Sequence, residues 1–285
     1  MIPLLKWAGG KRKLAPAIIE LIGNDYNHYY EPFVGGASML LHLLPEHASC
    51  FDINRELINF YLVVKDKPER LIHHLTHYFI PNHNKQGDAF YYFVRNWDRV
   101  ADTYMRLSPE RRAARFLYLN KACYNGLWRE NQFGQNNVPS GHHTVLSLPT
   151  KEHIMEVSAY LREHDVQFYN NDYLHVEFIA QPGDLVYFDP PYDIEAGQNG
   201  FVSYSSGGFN RICQMQLKGL CDRLVLSGVK VAVSNSNTEF IRNLYGNPED
   251  GGVEYEIHQI DANRSLGSDP TSRKTIKELI IIGRP

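Results

Sequence analysis

Cysteine is scarce. Four residues, Cys50, Cys123, Cys213 and Cys221, form no Cys-x-x-Cys pair and no cysteine–histidine ligand spacing. Neither a zinc site nor a disulfide framework is therefore expected. Long apolar runs are missing as well. A membrane span needs about 18 apolar residues, and the best candidate, residues 279–282, is only strand-sized. Lys6 and the basic residues 11–13 interrupt the N-terminal apolar stretch, so a signal peptide is not expected and a reducing cytoplasm fits best. The sequence has no G-x-G-x-x-G and no G-x-x-x-x-G-K-[ST], so neither a dinucleotide fingerprint nor a Walker A loop is supported. There is no internal repeat. Disorder is excluded by 18 Tyr, 14 Phe and 3 Trp, far too many aromatics for a solvated tail. A chain of 285 residues suits one large domain or a core domain carrying an inserted lobe.

The net charge is only −3, but it is unevenly spread. Residues 1–19 carry Lys6, Lys11, Arg12 and Lys13 with no acid. Residues 95–150 carry eight bases against four acids, and residues 263–285 carry five against two. Such segregation can present a basic face to phosphates on a nearly neutral protein. Charge runs are more commonly solvated helix faces, so the pattern alone does not decide.

Strand and helix signals alternate. Strands are predicted at residues 28–34, 49–53, 166–169, 185–188, 229–233, 255–260 and 278–282, and helices at 11–21, 37–44, 55–65, 109–123 and 209–226. Alternation of this kind argues for a mainly parallel α/β sheet, with the last two strands as an antiparallel edge hairpin. Residues 81–87 read as a polar loop. Residues 131–150 contain no Asp, Glu, Lys or Arg. Residues 70–150 are taken as an inserted lobe, leaving 1–69 and 151–285 as the core.

Four motifs carry chemistry. Asp189-Pro190-Pro191-Tyr192 directly follows an apolar strand, where ligands of open parallel sheets bind. Its carboxylate, proline carbonyl and aromatic ring suit a planar heterocycle bearing an exocyclic amine, although a rigid turn is equally consistent. Phe33-Val34-Gly35-Gly36 ends the first strand with glycines that permit close backbone approach. Asp52, followed by Ile53, ends the second strand, where a ribose diol is commonly held, or else caps the next helix. Lys6-Trp7-Ala8-Gly9-Gly10-Lys11 is a Gly-Gly turn between lysines, suited to an anionic group, with Trp7 able to cover a cation.

In order and spacing the set resembles the Dam-like DNA adenine-N6 methyltransferases. The resemblance extends through Tyr124-Asn125-Gly126-Leu127-Trp128-Arg129, Asn137-Val138-Pro139, the aromatics Phe201, Tyr204 and Phe209, Ser234-Asn235 and Arg264-Ser265. It implies a seven-stranded, mostly parallel class I methyltransferase (Rossmann-like) core with a small helical recognition insertion, and S-adenosylmethionine as the cofactor. Trp7, Ala8, Gly9, Gly10 and Lys11 would hold its methionine end, and Phe33, Gly35 and Gly36 would line its site. Asp52 and Ile53 would take the ribose region, and Asp172 with Tyr173 the adenine. Asp189, Pro190, Pro191 and Tyr192 would be the catalytic loop, with Asp189 also beside the cofactor.

Double-stranded DNA is the implied partner. Lys6, Tyr124, Asn125, Arg129, Asn137 and Pro139 would meet it, Arg129 reading a guanine. Arg111, Arg112 and Arg115 on the preceding helix are placed to meet phosphates. No metal is required. The implied target is GATC, in a bacterial or phage-encoded cytoplasmic enzyme that can share its site with a restriction endonuclease. The sequence departs from the family at Asn136 and His142, where relatives often carry Phe and Arg, which leaves the reaction firmer than the target. An RNA or protein-amide methyltransferase is the alternative, and a silent DNA-binding protein is a further rival.

Overall fold

The computed structural model describes residues 1–194, 209–247, 252–263 and 275–285. Phe201, Tyr204, Arg264 and Ser265 lie outside the described residues. The strands are β1 (Tyr29–Pro32), β2 (His47–Phe51), β3 (Asp165–Tyr169), β4 (Leu185–Phe188), β5 (Lys230–Ser236), β6 (Tyr255–Asn263) and β7 (Thr275–Gly283). They form one seven-stranded sheet in the order β3-β2-β1-β4-β5-β7-β6. β1 pairs in parallel with β2 and β4, and β4 with β5. β7 runs antiparallel to both β5 and β6. This is the expected mostly parallel α/β core with an antiparallel edge. Every residue of β1 and β4 is buried, which explains why Leu185-Val186-Tyr187-Phe188 reads as an unbroken apolar run rather than an alternating one.

The chain divides into two units. The first comprises Met1–Arg12, Gly35–Glu46 and Asp52–Asn170. The second comprises Lys13–Val34, His47–Phe51 and Asn171–Pro285.

In the first unit lie α2 (Ser38–Leu43), α3 (Arg55–Asp66), α4 (Pro68–His74), α5 (Ile80–Gln86), α6 (Asp88–Arg95), α7 (Ala101–Met105), α8 (Pro109–Ala122) and α9 (Lys151–Glu163). Local chemistry starts several of them. Asn54 caps α3 by accepting from the N–H groups of Glu56 and Leu57 at 3.0 and 3.1 Å, while Glu56 in the first turn and Lys65 in the last complement the helix dipole. Ser108 and Thr150 cap α8 and α9 in the same way.

Of the polar stretch 81–87, residues 81–86 are helix, not loop, and Gly87 is the turn that ends it. Pro81 follows a π-helical turn at Leu75–Phe79, which accommodates a proline whose ring would meet the carbonyl four residues back. The buried His83 pins α5, its ring bonded to the Tyr118 hydroxyl at 2.9 Å and the His143 carbonyl at 2.8 Å. That tertiary anchor is invisible to local composition.

The second unit contributes α1 (Ala15–Ile22), α10 (Arg211–Leu226) and α11 (Glu239–Gly246). Asn210 caps α10 at Cys213 and Thr238 caps α11 at Ile241. The core here joins Leu217, Leu220 and Leu224 of α10 to Val231, Val233, Leu279 and Ile281 of the sheet.

Candidate active site and nucleic-acid interface

In the second unit, the residue that follows β1 is under backbone strain. Phe33 has φ of 110°, an outlier for a bulky side chain and a conformation that persists only where its surroundings enforce it. The N–H groups of Phe33 and Val34 both donate to the Phe51 carbonyl, at 3.1 and 2.9 Å. The ring of Phe33 stacks on Tyr173 at 5.1 Å and meets the edge of Phe209 at 5.6 Å. Tyr173 opens a 3₁₀ turn capped by Asp172, whose Oδ1 accepts from the Leu174 N–H at 2.9 Å. Asp172 itself is exposed.

The first unit holds the other strand-end acid. Asp52 is half-buried; its Oδ2 accepts from the Gly35 N–H at 3.2 Å and its Oδ1 from the Asn54 N–H at 2.8 Å. Burial pushes its carboxyl above the ordinary value, with the two backbone bonds opposing. The helix cap is Asn54, so capping does not account for Asp52. Ile53 beside it is 77% exposed.

Gly35 adopts φ of 45°, and a Cβ there would lie 2.6 Å from the indole nitrogen of Trp7. At Gly36 it would lie 2.8 Å from the Trp7 Cβ. The close approach that requires glycine is therefore made by Trp7. The Trp7 turn is closed by the Gly10 N–H donating to the Trp7 carbonyl at 3.1 Å. Lys11 is buried and its Nζ donates to the Gly9 carbonyl at 2.6 Å, while Ala8, Gly9 and Gly10 are exposed.

Asp189 is half-buried at the end of β4, with Pro190 buried and Pro191 exposed. The Tyr192 hydroxyl donates to Glu278 at 2.8 Å. Burial, then the carboxylates of Asp189 and Glu278, hold this phenol well above its usual value, so it remains a neutral donor.

Tyr124, Asn125, Arg129, Asn137 and Pro139 all fall on one hairpin-like pair of segments in the first unit. Bridges join Cys123 to Ser140 and Glu130 to Asn136. The Tyr124 N–H donates to the Pro139 carbonyl at 3.0 Å and the Asn137 N–H to the Arg129 carbonyl at 3.1 Å. Arg129 is exposed, and its Nε donates to the Asn137 Oδ1 at 2.7 Å, which orients the guanidinium. Tyr124 is 51% exposed, and Asn125 follows in the left-handed region at φ of 56°, which asparagine tolerates well.

Sequence reading missed Asn120, which is fully buried on α8. Its Nδ2 donates to the Lys6 carbonyl at 2.7 Å and the Gly126 carbonyl at 3.2 Å, and its Oδ1 accepts from the Lys6 N–H at 2.9 Å. One amide thus ties the Lys6–Trp7 segment to the Tyr124 turn. A polar amide inside the apolar stretch Phe116–Ala122 was the available signal.

Two of the three arginines expected at phosphates are structural instead. Arg115 is 1% exposed and pairs with Asp98 at 2.8 Å, donating also to the carbonyls of Val94 and Arg95. Arg112 is buried against Glu56 at 3.4 Å. Asp98 in turn accepts the Asn136 N–H at 2.9 Å, and Arg95 and Arg99 donate to the Val138 and Asn136 carbonyls. Much of the basic charge of residues 95–150 therefore braces the hairpin from inside. Arg111 lies over the rings of Tyr78 and Trp97 at 5.1 and 4.9 Å. His142, standing where relatives often carry Arg, bonds Asp88. Among the described residues no cluster of three or more His, Cys, Asp or Glu is arranged to hold a metal, and no helix is long and apolar enough to cross a membrane.

Residues 7–266 match the family model described as D12 class N6 adenine-specific DNA methyltransferase. The chain is 38% identical over 280 residues to the Type II methyltransferase M1.LlaDCHI of Lactococcus lactis subsp. cremoris, covering 98% of this chain and 94% of that protein. It is 33% identical to the Type II methyltransferase M.MjaIII of Methanocaldococcus jannaschii, covering 98% of each. It is also 30% identical to the DNA adenine methylase of Escherichia coli K12, covering 99% of this chain and 95% of that protein. The chain belongs to the D12 class of N6 adenine-specific DNA methyltransferases.

Proposed function

We propose that the protein transfers the methyl group of S-adenosylmethionine to N6 of a flipped adenine in double-stranded DNA, within the sequence GATC. The observation that carries the reading is the Asp189-Pro190-Pro191-Tyr192 loop at the carboxyl end of β4, with its acid half-buried.

S-adenosylmethionine, the methyl donor of this family, supplies an electrophilic methyl whose bond to sulfur breaks as the N–C bond forms, the electron pair staying on sulfur. The residues on hand fit such a molecule. Asp52 has lone pairs for ribose hydroxyls beyond its two backbone bonds. Ile53, Asp172 and the Phe33–Tyr173–Phe209 rings offer apolar surface and an acceptor to an adenine. Trp7 offers a π-face to the sulfonium end, with Ala8, Gly9, Gly10 and Lys11 turning beside it and Gly35 and Gly36 on the adjoining backbone.

A target adenine stacked in a duplex cannot reach such a loop, so it is flipped out at a cost of a few kcal/mol. Asp189 and the Pro190 carbonyl accept the two N6 hydrogens, which draws the lone pair out of the ring and aims it for attack. Tyr192 packs on the base. The proton of the resulting ammonium leaves to solvent. Catalysis is positioning and electrostatics.

Residues 70–150 act as the recognition lobe on a catalytic core of 1–69 and 151–285. Lys6, Tyr124, Asn125, Asn137 and Pro139 contact DNA, and Arg129 reads a guanine. The proposed role is cytoplasmic, beside a restriction endonuclease that shares the site without a stable complex; two of the relatives are named Type II methyltransferases. The test is to methylate a randomised-site DNA library and read N6-methyladenine by sequencing. Modification confined to GATC supports the assignment. Adenine modification in another motif replaces the target and leaves the chemistry standing.

A further inference from the structure

The loop that carries Asp189 is gripped from behind by two amides to which the motifs assign no role. Gln214, on α10, is 1% exposed, and its Nε2 donates to the Pro191 carbonyl at 2.8 Å. Its Oε1 accepts from Nδ2 of Asn235 at 3.0 Å. Asn235, on β5, is 0% exposed, and its Oδ1 accepts the N–H groups of Asp193 at 3.3 Å and Ser236 at 2.9 Å. The relay therefore holds the chain on both sides of Tyr192.

A second ring of contacts fixes Asp193. Arg211 pairs with both of its carboxylate oxygens at 3.0 and 3.3 Å, Thr238 donates to Oδ2 at 2.8 Å, and the Ser236 hydroxyl donates to its carbonyl at 2.6 Å.

Proline fixes φ but leaves ψ open. The two prolines of the loop cannot by themselves set the plane of the peptide that follows Pro191. A buried donor on the Pro191 carbonyl can. That donor must also accept from Asn235, and only a side chain with both functions serves: an amide does, a carboxylate or an aliphatic chain does not.

We propose that Gln214 is a positioning residue for methyl transfer, fixing the Pro191 peptide plane together with Asn235 and so the aim of Asp189 and the Pro190 carbonyl. This rests on the reading of Asp189 given above. Gln214 touches neither substrate nor cofactor in this scheme, so its loss falls on turnover and not on affinity. Small displacements of a reacting group cost on the order of ten- to a hundredfold in rate.

The test uses the full chain, tritiated S-adenosylmethionine and unmethylated plasmid DNA under single-turnover conditions, from about pH 5.5 to 8.5. Gln214→Leu keeps the volume and removes both hydrogen bonds. It is expected to slow transfer roughly tenfold or more at every pH, with the KM for cofactor and the Kd for DNA within about twofold of wild type. Gln214→Glu keeps the shape, but only its protonated form donates to the Pro191 carbonyl. Its rate relative to wild type is expected to rise as the pH falls. The ionisable groups around the loop (Asp189, Tyr192, Asp193 and Glu278), those of α10 (Arg211, Cys213, Lys218, Cys221, Asp222 and Arg223) and Lys230 of β5 are common to both proteins, so the ratio isolates the new carboxyl group.

Wild-type rates for Gln214→Leu overturn the proposal, and so does a slow rate in both variants with no pH trend and a parallel rise in KM. Asp189→Ala, assayed alongside, separates the two claims. If it too transfers methyl normally, the reading of Asp189 fails. If it is inactive while the Gln214 variants are normal, only the positioning role fails.

Discussion

Replacing Asp52 by alanine removes a carboxylate that the structure uses twice, at the N–H groups of Gly35 and Asn54. Leaving those donors without an acceptor costs about 1–3 kcal/mol each, offset in part by relief of a buried charge. The sharper consequence is for the cofactor. Hydrogen bonds to a charged acceptor are worth about 1.5–3 kcal/mol, so its Kd should rise roughly ten- to a hundredfold.

Thermal melts with and without S-adenosylhomocysteine, the unreactive product, report this directly. At a ligand concentration of 100 times the wild-type Kd, binding stabilises the wild type by about 2.7 kcal/mol; the variant should gain only about 1.4 at a tenfold loss and about 0.4 at a hundredfold loss. The pH dependence has a definite sign. Burial raises the Asp52 pKa on folding, so the folded state holds that proton more tightly than the unfolded chain. Its contribution is most favourable in acid, falls as the pH climbs from the unfolded value through the raised one, and stays low at neutrality. A variant with a lower melting temperature but an undiminished ligand-induced shift would refute the reasoning and make Asp52 a brace for Gly35 and Asn54 alone.

Lys121, half-buried with Lys6 close by, has its pKa lowered to about 8, chiefly by burial. If it meets a phosphate, the salt slope of DNA binding should fall by about one as the pH passes 8; Lys121→Arg should remove that pH dependence, and an unchanged slope in Lys121→Gln would exclude the contact. Arg129→Ala should cost about 1–3 kcal/mol on the cognate site and flatten preference at one base in a randomised library; a uniform slowing with an unchanged motif would make it a backbone contact. Arg115→Ala removes one of the two arginines paired with Asp98, Arg99 keeping its bond at 2.7 Å, and leaves the Val94 and Arg95 carbonyls without their donor; it should destabilise the fold by about 1–3 kcal/mol. Denaturant titration checks this, and a stable variant with a shallower salt slope would restore Arg115 to the phosphates.

The parts of this molecule that announce themselves in sequence are the ones made locally. β4 is recovered residue for residue, because a strand buried on both faces reads as a continuous apolar run. The start of α3 is legible from Asn54, a good cap followed by an acid in the first turn. What escaped reading depends on distant partners. Arg112 and Arg115 look like a surface stripe until Glu56 and Asp98 are brought to them. Nothing near Gly35 and Gly36 in sequence tells that Trp7 packs against their backbone. The stretch 81–87 looks like a loop because nothing near it tells that His83 is buried against Tyr118. Asn120 and Gln214 bond backbone atoms far away in sequence, and a lone amide on a helix carries no mark of that.

The central claim is that Asp189 sets up methylation of an adenine amino group. Unmethylated DNA should be incubated with the protein and S-adenosylmethionine, digested to nucleosides and separated by mass spectrometry, for wild type and for Asp189→Ala. The account predicts N6-methyladenine as the product of the wild type. It also predicts a loss on the order of a hundredfold or more in the variant, with DNA binding intact. A methylated cytosine, or N6-methyladenine formed at an undiminished rate by Asp189→Ala, would contradict it.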